Sequence, residues 1–258
     1  MEHLDNVIFW STFGVAQICG IGIVILMGVW TSVYRGGFAW QENSKLQFNW
    51  HPLLMSIGLI YLYGNGMLLY RVFRGGKKTT LKRLHAASMM GSFIFTVIAL
   101  KAAFDSHDFN KGKDGAPAPI PNMYSLHSWM GIITAILFTM QWVAGFAMFL
   151  LPNIASRFKA FYLNIHTWFG TFIFVLGCST ALLGVTEKML FTTIFSPEPT
   201  KGFYQRKEAE GTLVNIASLL IILFGALVVY LTTNTKYKRK GNPEEIQVSH
   251  QTKVPTDV

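Results

Sequence analysis

Charge is scarce in this chain. Asp, Glu, Lys and Arg make up 14% of its 258 residues, whereas 51% are hydrophobic, a balance that excludes an ordinary soluble domain. Cysteine is scarcer still. Cys19 and Cys178 are the two copies, both inside apolar runs. They are read as helix-packing residues, and no Cys-rich iron–sulfur or zinc site can be built from them. There is no glycine-rich phosphate loop, no dinucleotide fingerprint and no room for a flavin domain. Electrons, if the chain handles any, must come from a diffusible reductant or a separate protein. The start, MEHLDN, lacks a basic n-region, and the apolar run after it is too long for a signal h-region. It reads as a retained first span. Carboxylates are almost absent from the apolar runs.

Those runs are the main content of the sequence. A helix needs about 20 apolar residues to cross a bilayer, and six stretches qualify, at 7–34, 48–70, 84–104, 123–151, 161–185 and 212–233. The fold class is therefore all-α, a six-helix transmembrane bundle over 1–240, with a polar tail at 241–258 that is expected to be disordered. Pro52 is tolerated in the first turn of the second span. The net charge of +9 does not require a nucleic-acid partner, because basic loops on one membrane face account for it. An even number of spans puts both termini on one side. That side carries thirteen Lys and Arg, namely six over 71–83, Arg157 and Lys159, and five in the tail, against eight on the other. Lys101 is set aside as a snorkelling residue at the outer end of the third span. The bias places both termini in the cytoplasm.

Four histidines sit one on each of the four central spans: His51 in FNWHPLLM, His85 in LKRLHAAS, His127 in YSLHSWMG and His166 in LNIHTWFG. An ionisable side chain inside a membrane span is costly and marks a functional candidate. One such histidine could be a stray polar residue bonded to a neighbouring helix; four at helix ends form a pattern. Alternate spans run in the same direction, so His51 and His127 share the outer depth, and His85 and His166 the inner one. A six-coordinate haem takes two axial imidazoles, so four histidines suffice for two haems, about 20 Å apart along the helices. Gly131 and Gly170 each follow a histidine by four residues and share its face. Gly170, Gly177 and Gly184 continue a groove along the fifth span, which is also compatible with small-residue packing. The inner mouth is flanked by Arg71, Arg74, Lys78, Lys82, Arg83, Arg157 and Lys159. Positive-inside charge explains most of these. Lys78 and Lys82, however, fall on one helical face if the helix extends back from His85, which suits a small anionic donor and haem propionates. A different class stays open: a transporter that moves zinc or protons on membrane histidines, although such proteins usually set carboxylates deep in their spans. A cytochrome subunit fed by a partner reductase is a third reading.

The stretches YRGGFAW, FNWHP, LLYRVFR, KKTTLKRLH, NMYSLHSW, QWVAGF and ALLGVTEK resemble the cytochrome b561 family of ascorbate-dependent transmembrane oxidoreductases, over roughly 14–240. Some resemble the secretory-vesicle branch and others the duodenal ferric-reductase branch. The resemblance implies a six-helix homodimer with two b haems per chain, reduced by cytoplasmic ascorbate and oxidised on the other side by monodehydroascorbate or a ferric chelate. It implies an outer haem on His51 and His127, beside Asn122, Met123, Tyr124, Ser125 and Glu187. It implies an inner haem on His85 and His166, with Arg71 and Lys78 near its propionates. Lys78, Lys82 and Lys159 would hold ascorbate. The family often has Arg at the position of Lys159, and lysine lacks the bidentate fork. His107, in FDSHDFN just beyond the third span, matches an outer substrate or metal residue, with the insert KGKDGAPAPIP immediately downstream. The implied location is a secretory-vesicle, endolysosomal or plasma membrane.

Overall fold

A computed structural model describes residues 2–112, 114–152, 154–194 and 208–239; the tail at 241–258 lies outside the described residues. Helix α1 (Glu2–Val29) continues through a π turn at Trp30–Tyr34. The second span, Ser44–Val72, is assembled from α2 (Ser44–Gln47), α3 (Trp50–Met55), a π stretch (Ser56–Leu62) and α4 (Tyr63–Val72). Then come α5 (Lys78–Asp108), α6 (Leu126–Leu150), α7 (Ser156–Ile194), α8 (Ala209–Thr233) and a 3₁₀ turn at Thr235–Tyr237. Among the described residues, six helices are long and apolar enough to cross a membrane. Among the described residues the only β pairing is an isolated bridge between Lys111 and Pro117. The all-α expectation therefore holds, and the chain is a multi-pass membrane protein.

Helix ends differ from those read off hydropathy. α5 begins at Lys78 and ends at Asp108, and α7 runs to Ile194, because a helix satisfies its own backbone and can carry polar residues past the hydrocarbon. His107 accordingly lies in the last turn of α5 instead of beyond the span. α6 starts at Leu126 and not at Met123. Met123 has φ of 58°, a left-handed conformation that stops a helix. Ser125 caps the helix, its hydroxyl accepting from the Ser128 N–H while the Ser128 hydroxyl accepts from the Ser125 N–H. Lys101 does not merely snorkel, since its ammonium pairs with Asp105 at 2.8 Å.

α1 packs along α8, α6 along α7, and α5 along the second span. The common core is aromatic at its centre: Tyr63 lies 5.0 Å from Phe138 and 5.6 Å from Phe174 between ring centroids, and Phe174 lies 6.2 Å from Phe224. The buried Tyr63 hydroxyl donates to the Gly170 carbonyl at 2.9 Å, which removes the cost of an unpaired polar group. Large apolar side chains such as Ile18, Met140 and Trp168 face outward, as a lipid environment requires. Lys236 pairs with Asp5 at 3.0 Å and so joins the two terminal segments at one end of the bundle, termed the inner end below.

At the outer end, the first and last spans are locked by charge. Glu210, in the first turn of α8, accepts from Trp30 Nε1 at 2.8 Å and pairs with Arg35. An acid at a helix N-terminus also complements the helix dipole. Both side chains are more than four-fifths buried, at 18% and 16% exposure. Glu210→Ala leaves Arg35 uncompensated and should cost roughly 2–4 kcal/mol, below the cost for a fully buried pair. The expected result is a lower thermal unfolding midpoint in detergent, with the Arg35→Ala/Glu210→Ala double variant closer to the parent than Glu210→Ala alone.

Candidate functional site

The first loop positions His51. Gly36 and Gly37 adopt φ of 83° and 87°, a conformation that glycine tolerates without a Cβ penalty. Their turn brings backbone carbonyls to Asn49, whose Nδ2 donates to Gly37 O at 2.6 Å and Arg35 O at 3.0 Å. Trp50 Nε1 donates to Ala39 O at 3.0 Å. His51, the next residue, enters α3 with its ring already aimed across the bundle.

The rings of His51 and His127 meet nearly at right angles, with centroids 6.0 Å apart. Those of His85 and His166 are 6.1 Å apart. Nδ1 of His51 lies 3.1 Å from Ala99 O, that of His85 2.8 Å from Gly66 O, and that of His127 2.9 Å from Thr180 O. A carbonyl only accepts, so in each neutral ring Nδ1 carries the proton and Nε2 keeps its lone pair for a metal. His166 is the exception: its Nδ1 is buried without a hydrogen-bond partner. Its ring is held by Phe149 at 5.3 Å and Tyr162 at 5.8 Å between centroids.

Glycine makes room for two of these rings, across the helix interface. A Cβ on Gly184 of α7 would stand 2.5 Å from His127, and one on Gly145 of α6 would stand 2.8 Å from His166. Spacing along a single helix points instead to Gly131 and Gly170, each on its own histidine's helix. In the structure these face Thr180 and Gln141 at ordinary contact distance.

The inner pair opens into a cavity of about 1220 Å³, larger than the roughly 300–1,000 Å³ typical of a single-ligand pocket. Tyr63, Phe138, Trp142 and Phe149 give it apolar walls. Arg71, Lys78, Lys82 and Lys159 all line it, joined by Lys238 and Arg239. The last two follow α8, too far from the histidines in sequence for spacing to have singled them out. Lys78 and Lys82 lie in the first two turns of α5, which does extend back as their spacing requires. Lys82 Nζ reaches Phe149 O at 3.4 Å. Arg71 also donates to the carbonyls of Thr232 and Asn234 at the end of α8.

At the outer end, His107 Nδ1 lies 2.9 Å from Asn122 Oδ1, and Asn122 Nδ2 donates to Asp108 Oδ1 at 2.8 Å. The amide is thus oriented by the carboxylate, so its oxygen accepts from His107 and the free Nε2 of His107 is an acceptor. His107 stacks on Phe48 with centroids 6.4 Å apart, and Phe48 lies 5.8 Å from His51. Glu187 accepts from the Ser125 hydroxyl at 2.9 Å. Trp129 Nε1 donates to Met123 O at 2.9 Å and holds that left-handed residue in place. Burial, with the Glu187 charge second, pushes the Tyr124 phenol up, so it stays a neutral hydroxyl.

Two metal–nitrogen bonds of about 2 Å, plus about 1 Å from each nitrogen to its ring centre, give a centroid separation of about 6 Å. Both pairs have that spacing. Free Nε2 lone pairs on His51, His85 and His127, glycine relief of His127 and His166, and an apolar cavity at the inner pair fit a haem held between paired imidazoles. Among the described residues no three His, Cys, Asp or Glu cluster as a metal site.

Comparison with known proteins bears on the same residues. The family model for eukaryotic cytochrome b561 matches residues 50–192, a range that holds all four histidines. The chain belongs to the eukaryotic cytochrome b561 family. It is 41% identical over 242 residues to the transmembrane ascorbate-dependent reductase CYB561 of Sus scrofa, covering 94% of this chain and 89% of the relative. It is 40% identical to the human protein of that name, over 94% of this chain and 90% of the relative. It is also 40% identical to the lysosomal membrane ascorbate-dependent ferrireductase CYB561A3 of Danio rerio, over 90% of each chain. Membership of a b-cytochrome family implies haem b, which the spacing of the paired histidines fits.

Gly184→Ala and Gly145→Ala separate the two ends. Each added methyl group drives one ring out of place, so Gly184→Ala should lose the haem at the His51/His127 end and Gly145→Ala the one at the His85/His166 end. Pyridine haemochrome assay of the purified variants, with low-temperature spectra to tell the bands apart, checks this. Gly131→Ala, which meets only Thr180, should retain its full haem complement.

Proposed function

We propose that this chain carries electrons across a membrane from cytoplasmic ascorbate to an acceptor on the opposite side, through two b haems held by His51/His127 and by His85/His166. The observation that carries this reading is the pair of opposed imidazoles at each end of one bundle, in a family of b cytochromes. Haem b supplies a one-electron carrier at each end. The protein supplies the rest. Lys78, Lys82 and Lys159 raise the local concentration of the ascorbate anion at the inner cavity. Arg71 and Lys78, which line the inner cavity, would supply cations to the carboxylate groups of the inner haem. The apolar core around Tyr63, Phe138 and Phe174 keeps water out of the space between the two ends.

At the outer end, His107 is fixed by Asn122 and Asp108 as a hydrogen-bond acceptor. Its Nε2 is suited to receive a substrate hydroxyl proton or to coordinate a metal chelate. Asn122, Met123, Tyr124, Ser125 and Glu187 frame that end. The proposed acceptor is monodehydroascorbate, which makes the reaction ascorbate regeneration. The 40% identity to a ferrireductase supports a second reading, in which a ferric chelate takes the electron at the same site. A homodimer with both termini cytoplasmic is part of the proposal, as is a secretory-vesicle, endolysosomal or plasma membrane location. A histidine-based zinc or proton transporter would show no Soret band.

Reconstitution in liposomes with ascorbate inside, and monodehydroascorbate or ferric citrate outside, tests the function directly. External reduction that depends on internal ascorbate is expected, and its absence with both acceptors would falsify the proposal. Lys82→Ala should keep both haems and slow reduction by ascorbate by roughly three- to tenfold at low ionic strength, converging on the parent as salt screens the charge. His107→Ala should leave inner reduction unchanged and slow outer reoxidation several-fold in stopped-flow traces. Equal reoxidation rates with either acceptor would remove His107 from the site.

A further inference from the structure

Counting loop charges assigns Lys188 to the outer aqueous face. The structure places it in the site. Because α7 continues to Ile194, Lys188 is a helical residue one turn beyond Gly184, the glycine pressed against His127. Residues four apart share a helix face, so Lys188 stands just outward of the outer histidine pair. Its ammonium is 4.2 Å from the centroid of Phe48, the same ring that packs beside His51 and stacks on His107.

The nearby carboxylates are engaged elsewhere. Glu187 accepts from Ser125, Glu210 from Trp30 and Arg35, Asp105 from Lys101 and Gln47, and Asp108 from Asn122. Among the described residues no carboxylate pairs with the Lys188 ammonium. The cation–π contact with Phe48 leaves the ammonium without a directly paired carboxylate, and Glu210 and Arg35, which pair with each other, act on it only at longer range. A half-buried cation beside an aromatic ring, with an imidazole acceptor on that same ring, has the chemistry of an anion site.

We propose that Lys188 is the acceptor-selecting residue of the outer site. It binds anionic one-electron acceptors against Phe48, within the reach of His107 Nε2. Monodehydroascorbate and ferric carboxylate chelates are both anions, so one cation serves either acceptor. This rests on the proposed function, in which electrons leave at the outer end. The electron passes to the acceptor, whose negative charge rises by one.

The test uses full-length protein reduced by ascorbate, and two probe acceptors of opposite charge, ferricyanide and hexaammineruthenium(III). In Lys188→Gln, reoxidation by ferricyanide should slow by roughly fivefold at low salt, and reoxidation by hexaammineruthenium(III) should be unchanged or faster. Lys188→Arg should restore the parent preference, and high salt should abolish the difference. Haem content should stay at the parent value. Equal slowing with both probes, no change with either, or loss of the outer haem would overturn the proposal, the last because the charge would then serve a haem carboxylate. Reduction of the inner haem by ascorbate, read in the same traces, reports separately on the proposed function.

Discussion

The structure depends on one interaction repeated three times, an imidazole Nδ1–H donated to a backbone carbonyl of a different helix. His51 of α3 reaches Ala99 of α5, His85 of α5 reaches Gly66 of α4, and His127 of α6 reaches Thr180 of α7. Each bond fixes a tautomer, frees an Nε2 and joins two helices. The helices joined are those that pack closely, α5 with the second span and α6 with α7. Orienting the ring and docking the helix are therefore one event. A bundle with a shifted register would both lose packing and bury an unpaired imidazole nitrogen, which costs about 1–3 kcal/mol.

Close approach is the second condition, and glycine meets it where the first bond alone would not. Gly184 and Gly145 lie on opposite members of the α6–α7 pair, each serving the histidine of the other helix. The arrangement is reciprocal, so α6 and α7 are held in register at both ends. At the outer end the interlock of Asn49 and Trp50 with the Gly36–Gly37 turn adds a further fixed point, and the Arg35–Glu210 pair closes the bundle around it.

Much of this was legible in the sequence, for physical reasons. A span must be about 20 apolar residues long, and strict alternation of direction pairs the histidines by depth. Lys78 and Lys82 could be read because helical periodicity is local. What could not be read depends on contacts between helices. Gly145 sits in QWVAGF with nothing in its own helix to indicate His166. Lys238 and Arg239 reach the inner cavity only because α8 returns to it. Lys188 looked like a loop charge because hydropathy falls off before α7 ends. The Nδ1 acceptors are main-chain atoms and leave no mark on side-chain identity at all.

The two ends are also chemically unequal, and this follows from the same bonds. A ligating imidazole that donates its other N–H is the more basic ligand. Both outer imidazoles donate, whereas His166 at the inner end does not. The outer pair is thus the stronger donor set, and stronger donation favours the oxidised metal. Around the inner pair the cavity carries a rim of Lys and Arg, and positive charge favours the state with one more electron. Ligand basicity alone would make a metal bound at the inner end the easier one to reduce, while cations stand at both ends, the cavity rim at the inner one and Lys188 at the outer one. Under the proposed function the cationic cavity would receive the anionic donor at that same end, so the weaker ligand set and the donor's docking charge would serve one electron transfer.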